Sequence, residues 1–166
     1  NTPYNSKKEK RFFVTMSVNF LKVKNRSTAR ALMKHCDKTE RIKNNHSNGD
    51  IDKVETNNNL QLYNESLDES MNRFTSRISM LDSSTNGNKR KDRIELFSLN
   101  VPIPHGIPER EFFYEVCKAF KNDYGEQNVI NMYLHTDEQH TYIDSSSLTT
   151  RTSLCHIHAF VVPEIN

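Results

Sequence analysis

The chain has 166 residues, a length that suits one folded domain, because single hydrophobic cores usually occur in chains of roughly 100–200 residues. We therefore expect one domain over residues 1–166. Charged residues make up 27% of the chain but the formal net charge is only +2, so any nucleic-acid site must come from local clusters of basic residues. Nine Phe and six Tyr supply enough large apolar groups for a core, which excludes a wholly disordered chain.

The cysteines indicate a reducing compartment. Cys36, Cys117 and Cys155 are odd in number, widely spaced and without a CxxC pair, so we interpret them as reduced thiols in a cytoplasmic protein. No apolar run in the sequence is long enough to cross a bilayer. The missing initial Met and the abrupt end at Asn166 indicate the N-terminal part of a longer protein, whose further C-terminal region could mediate oligomerisation.

In the first half of the chain, β-branched and aromatic residues predict a strand over residues 11–20. A helix follows from Ser27, with Ser27 or Thr28 as its cap and His35 near its end, because its apolar residues repeat at helical spacing: Ala29, Leu32, Met33 and Cys36. Residues 44–59 read as a long polar loop. A second helix ends before Asp82 and has the apolar stripe Leu67, Met71, Phe74 and Ile78.

In the second half, residues 93–101 read as a strand closed by Pro102 and Pro104. A third helix begins at Pro108 as its first residue, ends at Gly125 and has the stripe Phe112, Phe113, Val116 and Phe120. Strands over residues 129–134 and 154–162 then form a hairpin with a long polar connection, residues 139–152. This order favours an α+β sheet domain with helices on one or both faces.

The last predicted strand carries His156 and His158, whose side chains leave the same face because strand side chains alternate. The alternative is two solvent-facing histidines on an edge strand. His135 ends the preceding strand, so pairing of the two strands would add a third imidazole and the nearby carboxylate Glu138. Three neutral imidazoles can hold Mn²⁺, Zn²⁺, Ni²⁺ or Co²⁺ and leave open positions, which indicates catalysis.

Glu138 could be a further ligand, an acceptor for an imidazole N–H, or a solvated acid. The remaining His105 and His140 have no such companions in the sequence, and we expect both to be exposed.

These motifs resemble those of a known family. His135-Thr-Asp-Glu138, followed by His156-Ile-His158 and Val-Val-Pro163, resembles the third motif of the MobV-type relaxases, the plasmid mobilisation and recombination (Pre/Mob) proteins of the HUH endonuclease class. Four segments resemble the first and second motifs of that family: Glu40-Arg41, His46-Ser-Asn48, Asp50-Ile51 and Asn59. Residues 112–128 resemble the helix that precedes the family's metal-binding strand. The resemblance runs from Phe12 to Pro163.

Two spacings depart from the family pattern. Residues 139–155 intervene between HxDE and HxH, where the family usually has a very short gap, so either a loop is inserted or the alignment is imperfect. His35 and Arg41 are six residues apart, whereas the family's early His commonly stands three residues before an Arg.

The resemblance implies an antiparallel β-sheet flanked by α-helices and a nickase that cleaves single-stranded or hairpin DNA at a plasmid origin of transfer. It implies a divalent ion on His135, His156 and His158, foremost Mn²⁺, with Mg²⁺, Zn²⁺, Ni²⁺ or Co²⁺ as alternatives. A protein side chain attacks a phosphodiester and keeps the 5′-phosphate until it is rejoined. The alternatives are a replication initiator with the same chemistry and a non-catalytic DNA-binding module.

For the nucleophile, the resemblance favours His35 over Tyr63. A neutral imidazole is nucleophilic near pH 7, because the ordinary pKa of histidine is about 6.5. Arg41 could clamp the scissile phosphate if the helix breaks before it; if the helix continues, it turns away from His35. The alternative is that His35 is a plain surface residue.

DNA contacts are expected from the polar block and from three basic segments. Asn48, Asp50 and Asn59 could read bases or hold their loop together. The basic segments contain Lys7, Lys8, Lys10 and Arg11; Lys22, Lys24, Arg26, Arg30 and Lys34; and Lys89, Arg90, Lys91 and Arg93. The alternative for each segment is a set of ordinary solvated side chains.

Overall fold

The computed structural model describes residues 18–43, 55–84, 93–138, 141–143, 148–152 and 155–163. Its helices are α1 (Arg26–Cys36), α2 (Lys38–Lys43), α3 (Leu67–Ser84) and α4 (Glu109–Tyr124). Its strands are β1 (Asn19–Val23), β2 (Leu60–Gln61), β3 (Leu96–Pro102), β4 (Val129–His135), β5 (Thr141–Ile143), β6 (Thr150–Thr152) and β7 (His156–Val161). Short 3₁₀-helical turns, Glu55–Asn58 and Glu126–Asn128, precede β2 and β4.

Five of the strands form one antiparallel sheet in the order β1-β3-β7-β4-β2, with β7 at its centre. The other two, β5 and β6, pair as a separate hairpin. The predicted α+β class, an antiparallel β-sheet flanked by α-helices, is therefore confirmed. The hairpin lies between the HxDE and HxH motifs, so the longer spacing corresponds to an excursion of the chain out of the main sheet.

One face of the sheet packs against α1 and α3. Phe160 of β7 lies in a core with Met33 of α1 and with Phe74 and Ile78 of α3, all of them buried. Because strand side chains alternate, His158 and His156 leave β7 on this same face. The apolar packing of this face thus leads directly to the two histidines.

The opposite face packs against α4. Ile157 and Ala159 of β7 form a second core with Phe113 and Cys117, and all four side chains are buried. Every residue of β4 is buried as well, since helices cover both of its faces. A one-residue slip of β7 would exchange the residues of these two cores.

Local hydrogen bonds explain where α1 begins and ends. The cap is Asn25 rather than Ser27 or Thr28, because extended Asn25 accepts the Thr28 backbone N–H at 2.9 Å through its side chain. At the other end, Asp37 leaves the helix, and its Oδ1 accepts the Glu40 N–H at 2.9 Å. That bond starts α2, a helix with no apolar stripe for sequence periodicity to detect, since Arg41 is its one buried residue.

Other boundaries differ by small amounts. The first strand includes Asn19–Val23, whereas residues 11–17 of the predicted strand lie outside the described residues. The second predicted helix continues past Asp82 to Ser84. Pro108 occupies the cap of α4 rather than its first helical position, and Gly125 ends that helix with φ 84°, a value that glycine adopts without strain. These shifts leave the order of the predicted elements unchanged.

Three further predictions from the sequence concern membrane spans, the cysteines and the two remaining histidines. Among the described helices, none is both long and apolar enough to span a membrane. Cys36, Cys117 and Cys155 are all buried free thiols. His105 is exposed, as expected, and His140 lies outside the described residues.

The packing predicts that Phe74→Ala lowers the free energy of unfolding by about 3–5 kcal/mol, because it leaves a cavity beneath the sheet. Met80→Ala, on the same helix but 63% exposed, should change it by less than about 0.5 kcal/mol. Urea unfolding of the two variants and the unchanged chain measures both values. Equal losses in the two variants would contradict the described packing of α3.

Candidate metal and active site

Three histidines meet where β4 ends and β7 begins. His135 is the register partner of His156, and His158 follows two residues later on the same face. The ring centroids lie 5.3 Å apart for His135 and His156, and 4.8 Å apart for each of the other two pairs. The strand pairing on which the sequence prediction depended is therefore present, and the three imidazoles form one cluster.

A fourth histidine reaches this cluster from α1. Strand β1 starts beside the site, since Asn19 pairs with Asn100, which pairs in turn with His158. The chain then runs away along β1 and returns along α1, so His35 in the last turn arrives at the cluster. Its ring centroid lies 5.9 Å from that of His158, and its side chain is 48% exposed. His35 is the imidazole of this group that solvent reaches most easily.

Glu138 connects the histidines through its carboxylate. Its Oε1 lies 3.4 Å from Nε2 of His35 and 3.5 Å from Nδ1 of His135, and its Oε2 lies 3.3 Å from Nε2 of His156. Burial alone would raise the pKa of Glu138, but the surrounding imidazoles of His135, His156 and His35 hold it well below its usual range. The site therefore contains a charged carboxylate rather than a solvated acid.

Arg41 is buried behind Glu138 instead of facing solvent. Its Nε and Nη2 donate to the two oxygens of Asp137 at 2.9 and 3.0 Å, and Nη2 also donates to Glu138 Oε1 at 2.7 Å. Its Nη1 donates to the backbone carbonyl of His35 at 2.9 Å. The helix does break before Arg41, but the guanidinium turns inward to bind two carboxylates in the protein. The buried guanidinium of Arg41 thus joins Glu138 to the end of the helix that carries His35.

The turn that carries Asp137 is held by the segment before β2. Thr56 donates its hydroxyl to Asp137 Oδ2 at 2.9 Å. Asn59 is buried, and its Oδ1 accepts the Thr136 backbone N–H at 2.8 Å. Burial alone would raise the pKa of Asp137, but hydrogen bonds from Arg41 and Thr56 lower it. Asn59 thus supports the loop, the second of the roles left open for it.

The ionisation states of the buried imidazoles suit metal binding. Burial lowers the pKa of His158 to about 2, and the neighbouring histidines contribute in the same direction. Burial also lowers the pKa of His135. A metal ligand must be a neutral imidazole, so both rings are in the required form at neutral pH.

The hydrogen bonds of His135 provide a test of whether a cation fits. Its Nε2 lies 3.3 Å from the Cys36 carbonyl oxygen and donates to it, which leaves the lone pair on Nδ1. That Nδ1 is buried and has no hydrogen-bond partner among the described residues, although Glu138 Oε1 lies 3.5 Å away. Two acceptors therefore face each other, an arrangement that a bound cation stabilises.

The donor atoms around this point are close enough to share an ion. One ligand atom from each of His35, His135 and His158 lies within 4.8 Å of the other two, and the same holds for His135, Glu138 and His156. Nitrogen-rich sets of this kind suit Mn²⁺, Co²⁺, Ni²⁺ and Zn²⁺ better than Mg²⁺, which prefers oxygen ligands. The residues present fit a transition-metal ion.

The remaining candidate DNA contacts are dispersed. Asn48 and Asp50 lie outside the described residues, as do the basic segments at residues 7–11 and 89–91. Arg30 and Lys34 are half exposed on α1, where Arg30 pairs with Asp68 at 2.8 Å and Lys34 with Glu40 at 3.5 Å. Arg93 is bound to Asp82. Lys22, Lys24 and Arg26 are exposed at the β1–α1 junction.

Tyr63 lies away from the histidines. Register pairing of β2 with β4 places it beside Asn131, whose Oδ1 accepts its backbone N–H at 3.4 Å. Asn131 precedes His135 by four residues, which is about 13 Å along a strand. The Tyr63 ring contacts Arg73 and Lys121 at 4.2 and 5.1 Å from its centroid. Of the two candidate nucleophiles, His35 is the one beside the site.

Sequence reasoning missed the roles of Asp137 and Thr56. Asp137 stands beside Glu138 in the HxDE motif. Two adjacent acids could have indicated two different contacts, one acid contacting the histidine cluster and the other a buried arginine. For Thr56 the sequence carries no signal, since it is one polar residue in a polar loop. Its contact with Asp137 joins residues 81 positions apart.

The buried position of Arg41 predicts a large effect of its removal. Arg41→Met should lower the free energy of unfolding by about 3–5 kcal/mol, because Asp137 would remain buried without its partner. Arg30→Met breaks the exposed pair with Asp68 and should lower it by less than about 1 kcal/mol. Denaturant unfolding compares the two variants. Similar small losses would show that Arg41 is not held as described.

Comparisons with known proteins agree with this architecture. Neither the protein-family models nor the curated proteins gave a match. Among solved structures, the Mn-bound MobM relaxase domain (MOBV; Mob_Pre) in complex with 22-nucleotide plasmid pMV158 oriT DNA is 22% identical, with a TM-score of 0.65 over 91% of this chain and 72% of that chain. The same domain with oriT DNA carrying a 3′-thiophosphate gives 22% identity, a TM-score of 0.64 and coverages of 91% and 71%.

A further complex of that domain, with 26-nucleotide oriT DNA, is 18% identical, with a TM-score of 0.54 over 91% of this chain and 70% of that chain. At these identities the likeness is one of fold. The resemblance first drawn from the motifs thus extends to three dimensions, and the chain has the fold of a MobV-type relaxase domain.

Proposed function

We propose that this protein is a metal-dependent DNA relaxase that nicks and rejoins single-stranded DNA at a plasmid origin of transfer. The observation that carries the proposal is the convergence of four histidines and Glu138 at one end of the sheet, with His35 exposed and the others more buried. The fold supports it, since the similar MobM domain is Mn-bound and in complex with oriT DNA.

In this proposal His135, His156 and His158 hold the metal ion. All three come from paired strands of the sheet, whereas His35 comes from the end of a helix and is more accessible. Mn²⁺ is the proposed ion, because it suits imidazole ligands and is the ion of the similar structures. Such an ion, when bound, polarises the phosphate oxygens and offsets the negative charge of the transition state.

The nucleophile in this proposal is His35. Its Nε2 faces the Glu138 carboxylate at 3.4 Å and donates a proton to that hydrogen bond, which leaves the lone pair on Nδ1 for phosphorus. A P–N bond forms, the bond from phosphorus to the 3′-oxygen breaks, and that oxygen leaves as a hydroxyl after taking a proton from water. The 5′-phosphate stays on the imidazole until a 3′-hydroxyl attacks it and the strand is rejoined.

Glu138 and Arg41 prepare His35 for this step. The negative charge of Glu138 stabilises the positive charge that the ring acquires when its lone pair binds phosphorus. Arg41 fixes the carboxylate through Nη2 and the end of α1 through the His35 carbonyl. The two ends of one guanidinium thus set the distance between the acid and the nucleophile.

Two alternative functions fit the same fold. A replication initiator would use the same side chains and differ in its DNA target, and a non-catalytic DNA-binding module would bind DNA without forming an adduct. Arg30 and Lys34, on the same helix as His35, are proposed phosphate contacts. One relaxase domain in the cytoplasm remains the proposed setting.

For the metal, we predict that the His156→Ala, His158→Ala double variant binds Mn²⁺ at least 10-fold more weakly, since loss of a supporting residue alone costs about 10–100-fold. Calorimetric titration of the metal-free protein with Mn²⁺ measures the affinity. His105→Ala, which changes an exposed histidine outside both groups of candidate ligands, is the matched control and should bind like the unchanged chain. Unchanged affinity in the double variant would place the metal elsewhere.

For the nucleophile, we predict that His35→Ala forms no covalent adduct but still binds Mn²⁺, whereas Tyr63→Phe forms the adduct. The assay incubates protein and Mn²⁺ with 3′-labelled single strands, including pMV158 oriT DNA, and looks for label that migrates with protein on a denaturing gel. The bond should be labile in acid and stable in base, as a phosphoramidate is.

Three results of this assay would argue against the assignment. An adduct formed by His35→Ala but lost in Tyr63→Phe would transfer the role to Tyr63. Loss of Mn²⁺ binding in His35→Ala would make His35 a ligand instead. DNA binding without an adduct in the unchanged chain, across strands that it binds tightly, would favour the non-catalytic module.

A further inference from the structure

A cavity adjoins the histidine cluster, and the chemistry described above leaves it unused. It is a cavity of about 170 Å³ between α1 and the strands β1, β3 and β7. His35 and His158 form the wall that it shares with the cluster, and Leu32 and Phe160 form an apolar wall. Its volume is below the roughly 300–1,000 Å³ of pockets for drug-sized ligands, so it suits a single ring system.

Three polar side chains from β1 and β3 line this cavity. Asn19 is the register partner of Asn100, Leu21 is the partner of Ser98, and Asn100 is in turn the partner of His158. Alternation along the strands therefore places Asn19, Ser98 and Asn100 on the same face as the histidines. The cavity thus contains two carboxamides and a hydroxyl beside the cluster.

Within the described part of the chain, these polar side chains are not engaged. No side-chain hydrogen bond joins Asn19, Ser98 or Asn100 to another described residue, whereas polar side chains elsewhere near the site are bonded. Ser98 is 9% exposed, whereas Asn100 is half-buried and Asn19 is exposed. Polar side chains that line a cavity and make no hydrogen bond to the described residues are open to a ligand with complementary groups.

The chemistry of the lining indicates what the ligand is. Besides His35, His158 and the Cys36 thiol, no ionisable side chain among the described residues lines the cavity, which argues against a free phosphate or carboxylate. Apolar walls suit a flat ring, and a carboxamide offers a donor and an acceptor side by side, the pattern that pairs with the edge of a nucleobase. Adenine is the base that asparagine pairs with bidentately.

We propose that this cavity binds one unpaired base of the DNA strand, from the nucleotide next to the phosphate that His35 attacks, and that Asn19 and Asn100 read its edge. The inference rests on the proposed function and adds to it a determinant of sequence specificity. A base in the cavity contacts His35 and His158 directly, so its own backbone lies at the nucleophile. Reading this base also holds the scissile phosphate in place.

The test is a selection of DNA strands by binding, in EDTA, from a library of single-stranded oligonucleotides with a randomised region. It uses the unchanged chain, Asn19→Ala, Asn100→Ala, the double variant, and Asn122→Ala as control. Asn122 is an exposed asparagine on α4, across the sheet from the cavity. Asn19 is exposed as well, so at least one variant of the pair leaves the core untouched.

We expect the unchanged chain and the control to enrich the same motif, and the Asn19 and Asn100 variants to lose the preference at one position only. Affinity for the original motif should fall roughly 5- to 150-fold, the range for one bidentate contact. An abasic nucleotide at that position should weaken binding to the unchanged chain but add no further loss in the double variant.

An enriched motif that the double variant leaves unchanged would overturn the base-reading cavity while the proposed relaxase function stands. A uniform loss of preference at every position, with a lowered unfolding midpoint, would overturn it too, since it would assign these asparagines to the fold. No enriched motif in the unchanged chain would overturn sequence-specific DNA recognition itself, and the cavity proposal with it.

Discussion

The antiparallel register of β4 and β7 is the constraint on which the rest of this structure depends. It places His135 opposite His156 and, through alternation, His158 on the same face. A shift of one residue would send the histidines into the α4 core and move Ile157 out of it. The register is fixed by apolar side chains on both faces, so the hydrophobic packing of the sheet determines the geometry of a polar site at its end.

A second constraint joins distant parts of the chain at that end. The guanidinium of Arg41, from α2, binds both acids of the turn after β4 and the carbonyl of His35 in the last turn of α1. A buried charge of this kind is costly to leave unpaired, so the helix break at Asp37, the acid turn and the Thr56 segment are mutually dependent. The extra residues between His35 and Arg41 are accommodated because α1 stops and α2 begins between them.

The electrostatics of the cluster follow from burial. Imidazoles that are removed from water stay neutral, and Glu138 remains charged because histidines and Arg41 surround it. Lone pairs and a negative charge are therefore concentrated at one point, while His35 at its edge stays accessible. Beside it, the cavity lined by Asn19, Ser98 and Asn100 continues the same face of the sheet toward β1. In the two proposals, the ion, the nucleophile and the base pocket act on adjoining atoms of one DNA strand.

Local pattern alone was sufficient for the order of the elements and for the histidine pair on β7. Helical spacing identified Phe74 and Phe113 as core, and a period of two put His156 and His158 on one face, because both signals come from neighbours in the chain. Helix α2 and the cap at Asn25 were not predicted, because hydrogen bonds between residues three apart define them and apolar periodicity does not. Whether β4 would pair with β7 was a condition that the sequence could state but not decide.

The tertiary structure alone decided what the remaining polar residues do. Arg41 and Asn59 carried motif positions typical of DNA contacts, yet each is buried and bonded within the protein. The cavity beside His35 is formed by side chains from three strands and a helix, so no local segment contains its signal. The physical reason is that a sequence pattern specifies which side chains share a face, whereas burial, pairing and the approach of His35 depend on contacts between residues far apart in the chain.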